Sequence, residues 1–184
     1  MKIKLIYIFI ITLISFSCSS DDDSADNEIL RTNNQVSFEG ENYPLSTVLI
    51  FDENIETDEP SDIGFNLYNK TTNEINSALN GETDLTNIVH FYFDFTEVDL
   101  QETTYTDILD YSFSINGTLS DGNYDDGTEI LSDNDPNSEL YASNSVVTIN
   151  NLTETTVDLS FSFTRNDGQV ISGSYNGAYD IPTP

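Results

Sequence analysis

The feature that most constrains this chain is an alternation. Val89, Phe91, Phe93 and Phe95 take every second position, with His90, Tyr92, Asp94 and Thr96 between them. Successive side chains of a β-strand point to opposite faces, so this spacing predicts a strand with one apolar and one polar face. The pattern recurs in Ile63, Phe65 and Leu67, in Tyr111, Phe113 and Ile115, and in Val157, Leu159, Phe161 and Phe163. Shorter versions appear at Val36 with Phe38 and at Val147 with Ile149. Strands that are apolar on one side only belong to antiparallel sheets with one buried face. The expected fold is therefore all-β, an antiparallel β-sandwich, with a closed or partly open lipocalin-like barrel as the alternative.

Turn residues divide these strands. Arg165-Asn166-Asp167-Gly168-Gln169 predicts a tight hairpin, because Asp-Gly readily supplies positive φ. The strand after it carries Ile171, Gly173, Tyr175, Gly177 and Tyr179, and its glycines predict bulges or close backbone approach. The run Tyr43 to Phe51 reads as one strand. Pro44 lies near its beginning and marks a strand start or a sheet edge, since proline cannot donate to a ladder. The acidic stretch 52–62 reads as a loop. Residues 72–80, around Ile75, Ala78 and Leu79, are the one helix candidate.

The chain opens differently. Lys2 and Lys4 precede a twelve-residue apolar run, Leu5 to Phe16. A membrane-crossing helix needs about twenty residues, so this run suits the apolar centre of an export signal. Ser15 and Ser17 are small residues three and one positions before Cys18, which places a cut just ahead of that cysteine. Residues 18–33 are polar and acidic and read as a flexible tether, leaving 34–184 as a single domain.

The stretch ending at Cys18 resembles a bacterial lipoprotein signal, with Ser15 where Leu is usual and Phe16 where a small residue is usual. The resemblance implies lipidation of Cys18 and a membrane partner reached through that lipid. Ser19-Ser20-Asp21-Asp22-Asp23 is similar to the acidic tether of Bacteroidota surface lipoproteins, which implies an outer-membrane, surface-exposed location. Residues 156–179 resemble β-rich domains of such lipoproteins, which implies fold and context but no activity. The other reading of this region is a secreted protein with a free N-terminal Cys18.

Loss of residues 1–17 leaves Arg31, Lys70 and Arg165 against 33 Asp and Glu, a net charge of −30. Such a chain repels phosphate, so nucleic acid is not an expected partner. Cys18 is the sole cysteine, so no disulfide within the chain and no paired-cysteine metal site is available.

Residues 120–139 are the best candidate for a ligand-binding loop, crowded with side-chain oxygens. Asp121, Asn123 and Asp125 alternate, as do Asp133, Asp135 and Glu139. Calcium takes six to eight oxygens from such loops, so calcium is the cofactor these residues suggest. The spacing departs from a helix–loop–helix calcium site, with Asp126 where glycine is needed and Ser132 where glutamate closes the loop. A plain solvated loop is the alternative. Tyr68 and Tyr92 fall on the polar faces of their strands and are candidates for stacking on a glycan or anchoring a protein, or else pack on the sheet. His90 is the one histidine, and no nucleophile motif accompanies it. The expected function is non-catalytic, a binding or structural role at the cell surface. The alternatives are a glycan or small-molecule binding module and a calcium-binding domain.

Overall fold

The computed structural model describes residues 34–52 and 59–182. The leader, Cys18 and the 18–33 tether lie outside them. Among the described residues twelve strands form: β1 (Gln35–Phe38), β2 (Glu41–Pro44), β3 (Thr47–Asp52), β4 (Ser61–Tyr68), β5 (Leu85–Glu97), β6 (Thr104–Tyr105), β7 (Tyr111–Ser120), β8 (Asn123–Asp125), β9 (Thr128–Ser132), β10 (Ala142–Leu152), β11 (Thr156–Arg165) and β12 (Val170–Asp180). One helix, α1 (Thr72–Leu79), joins β4 to β5.

The strands form one continuous sheet in the order β6-β10-β11-β12-β3-β4-β5-β7-β8, with β1 and β2 branching from β12 and β9 pairing with β7. The sheet does not close on itself. It folds into two layers joined through β12, and the apolar faces of the layers meet. Phe91 of β5 stacks on Phe161 of β11 with ring centroids 4.4 Å apart. The fold is thus all-β and sandwich-like. The alternating residues define its centre: Phe65, Phe91, Phe93, Phe113 and Phe163 have no solvent contact.

Two features depart from the sequence reading. The run Tyr43 to Phe51 is two strands, β2 ending at Pro44 and β3 beginning at Thr47. Pro44 therefore closes a strand at a sheet edge, as one of the two readings has it, and does not start the next strand. The second departure follows from the first. β1 is antiparallel to β12, and β2 is antiparallel to β1, so β2 runs in the direction of β12. Through Gln35, Pro44 is level with Ser174; four residues later Val48 is opposite Tyr179. The chain has kept its heading and moved inward by one strand position where β1 no longer intervenes. β3 consequently pairs with β12 in parallel, and the sheet is mixed where sequence alone predicts antiparallel pairing throughout.

The final hairpin forms as expected. Gly168 has φ +85°, and the Arg165 amide donates to the Gln169 carbonyl. Gly173 serves close approach: a Cβ there would stand 2.4 Å from Phe161 Cζ and 2.5 Å from the Gln35 carbonyl oxygen. Gly173→Ala is expected to cost about 1–3 kcal/mol, the usual penalty for overpacking. Urea unfolding measures it, and an unchanged midpoint would contradict this packing.

Candidate functional site

The site begins with α1. Thr71 caps it, its Oγ1 accepting from the Glu74 amide while the Glu74 carboxylate accepts from the Thr71 amide at 2.8 Å. This reciprocal box fixes the start of a short helix that would be marginal alone. The Thr71 amide and hydroxyl both donate to the Glu74 carboxylate and hold its pKa below the ordinary value. Ile75 and Ala78 are buried against the outer face of the β3–β7 layer. There Ala78, Ile88 and Leu119 form a small second core, with Tyr68 and Leu85 packed beside it.

The outer face of that layer is therefore not simply wet, and the two candidate tyrosines are occupied. Tyr68 stacks on His90 at 4.4 Å with an angle of 5° between the rings. Tyr124 meets His90 edge-on at 6.0 Å. His90 Nε2 lies 2.8 Å from Asn66 Oδ1, an acceptor, so the ring proton belongs on Nε2. Burial pushes the His90 pKa down to about 4 and raises that of Tyr68 well above 10. Tyr92 lies over Gly64, where a Cβ would come within 3.3 Å of its ring, and its hydroxyl donates to Asp94 at 2.6 Å. Desolvation and this bond to Asp94 raise the Tyr92 pKa. Asp94 is itself buried and also accepts from the Asp110 amide. Both tyrosines are thus engaged by the sheet instead of lining a ligand cleft.

The acidic stretch 120–139 also differs from its sequence reading as one loop. Asp121 and Gly122 both have positive φ, 49° and 73°, and close a two-residue hairpin between β7 and β8. That places Asp121, Asn123 and Asp125 on a hairpin. Asp133, Asp135 and Glu139 follow β9. The carboxylates are used locally: Asp125 accepts from the Gly127 amide, Asp135 from the Asn137 amide, and Asp133 from the Tyr111 amide. Among the described residues no group of three or more carboxylate, histidine or cysteine side chains is placed to hold a metal ion. Asp121, Asn123 and Asp125 are thus on the β7–β8 hairpin, and Asp133, Asp135 and Glu139 are on the segment after β9.

What sequence reasoning missed is a cleft. α1 crosses the outer face near Thr47, leaving Leu49 half-buried and Phe51 of β3 exposed beyond it. Between the helix and this part of β3 is an open cleft of about 850 Å3. Ile181 and Pro182, just past β12, form its third side. Seven large apolar side chains are exposed among the described residues, and three of them lie in this cleft: Phe51 at 42%, Leu79 at 55% and Ile181 at 50%. Its polar wall is joined internally, with Thr72 Oγ1 donating to Asp180 at 2.6 Å and lying 3.4 Å from Thr47 Oγ1. Among the described residues that line the cleft, Asp180 is the one with an ionisable side chain.

No known family model matches this chain. Curated proteins and solved structures likewise give no match. Sequence offered one signal for the cleft: Leu79 extends the apolar stripe of Ile75 and Ala78 on a helix too short to bury all three. Phe51 and Ile181 lie at strand ends, where alternation says nothing about coverage.

Proposed function

We propose that this protein is a non-catalytic, lipid-anchored binding protein of the bacterial cell surface, and that the cleft between α1 and β3 is its binding surface. The observation that carries the reading is the convergence of Phe51, Leu79 and Ile181, from three separate segments, in one open cleft. Scattered exposed apolar residues are ordinary, whereas converging ones mark interaction sites. The volume is within the range of ligand sites, about 300–1,000 Å3. The surface address rests on the Lys2 to Cys18 signal and the acidic segment after it.

Two measurements test this. Cys18→Ser is expected to shift the protein from the detergent phase to the aqueous phase in detergent partitioning, and unchanged partitioning rejects the lipid anchor. Nile red, a neutral apolar dye, is expected to fluoresce in the cleft of the wild-type protein and to lose that signal in Leu79→Asp. Both Phe51 and Leu79 are exposed, so Asp at either position leaves the core intact, which circular dichroism checks. A dye signal unaffected by Leu79→Asp rejects the cleft as the binding surface.

A further inference from the structure

We infer that the occupant of this cleft is a short apolar peptide segment of a partner protein, flanked by lysine or arginine. The inference rests on the reading of the cleft as a binding surface and adds the chemistry of what it takes.

The shape sets the size of the ligand. Thr47, Leu49 and Phe51 lie on one face of β3 at every second position, a run of about 13 Å at roughly 3.3 Å per residue. On α1, Thr72, Ile75, Asn76 and Leu79 form one stripe about 10 Å long at ~1.5 Å per residue. A trough walled by a strand and a helix over that length matches three or four residues of extended chain. Its apolar lining suits one or two large apolar side chains, with Ile181 at the flank.

The charge sets the sign of what lies beside them. From Asn34 onward the chain carries only Lys70 and Arg165 as lysine or arginine. Arg165 is spent internally, 2.6 Å from Asp167 and largely buried against it. The cleft has Asp180 in its wall, and Asp52 follows Phe51 directly. An anionic ligand would meet repulsion from nearly every side, whereas a segment with cationic flanks is steered in and then held by apolar contact. Lysine and arginine also bring long apolar stems that can cover Leu79 and Ile181 while their charged ends reach solvent.

The test uses the Cys18→Ser protein and a synthetic peptide alternating leucine with lysine, with the leucine–glutamate peptide as its counterpart. Binding is read by fluorescence anisotropy. The leucine–lysine peptide is expected to bind and the leucine–glutamate peptide to fail. Phe51→Asp and Leu79→Asp are each expected to weaken binding about tenfold, the effect of losing one apolar anchor. These two substitutions separate the proposal from plain charge attraction. Each adds a negative charge, so a purely electrostatic association would tighten, and tightening overturns the inference. Equal binding of both peptides overturns it as well. Nile red binding without peptide binding overturns the peptide occupant and leaves the cleft as a site for another apolar ligand. Loss of both shows that the surface itself was misread. A dimer in sedimentation that Leu79→Asp dissolves, without peptide binding, assigns the cleft to a second copy and overturns the proposal.

Discussion

Phe91→Ala is expected to destabilise the protein by about 3–5 kcal/mol, the range for removing a buried phenylalanine ring. Phe91 has no solvent contact and touches both layers. It stacks on Phe161 at 4.4 Å and meets Phe113 at 5.7 Å, Phe163 at 5.3 Å and Phe93 at 5.9 Å. Its loss leaves a cavity where the sheets meet, and neither layer can collapse into it without disturbing the other rings. Phe51→Ala is the matched control. Phe51 is on the opposite face of the sheet in the open cleft, so its truncation is expected to change stability by only about 0.5 kcal/mol. Urea unfolding of both variants measures the contrast. Equal losses would contradict the assignment of inner and outer faces.

The second large effect is in pH. His90 ionises near 6.5 when unfolded, and burial lowers it to about 4 in the folded protein. Between those values the unfolded chain holds a proton on this ring that the native protein does not. Acid therefore favours unfolding across that window. His90 contributes full stability above pH 6.5, loses it progressively as pH falls toward 4, and changes nothing further below that. The loss from this group is at most about 3 kcal/mol, one proton over two and a half pH units. His90→Phe keeps a ring against Tyr68 and removes the titration. Its unfolding free energy is expected to fall less steeply than that of the wild type between pH 6.5 and 4. Parallel profiles for the two proteins would show that His90 is not held neutral by its surroundings.

The sandwich is largely written in the spacing of apolar residues. Phe91, Phe93, Phe113, Phe161 and Phe163 are all buried on the face that alternation assigns to them. Asp167-Gly168 closes the hairpin that its turn chemistry requires, and the helix around Ile75 and Ala78 forms over Thr72–Leu79. Other features depend on contacts that no local pattern carries. Pro44 marks a break in the ladder, but only the neighbouring strands decide that the chain moves there from β1 to β12. Tyr68 looks exposed by alternation and is covered because α1 folds back over it. The acids at 121–139 read as one loop by composition, but the Asp121-Gly122 turn and β9 make them a hairpin and a separate following segment. The cleft was the least legible element, since Phe51, Leu79 and Ile181 are far apart in sequence and meet only through the parallel pairing of β3 with β12.

That meeting is the central claim, and backbone amide chemical shifts test it most directly. The Cys18→Ser protein, labelled with nitrogen-15, is titrated with Nile red. The account predicts shifts confined to 47–51, 72–79 and 180–181, three separate stretches moving together. Shifts centred instead on the Tyr68–His90–Tyr124 face, or spread evenly over the strands, would contradict it.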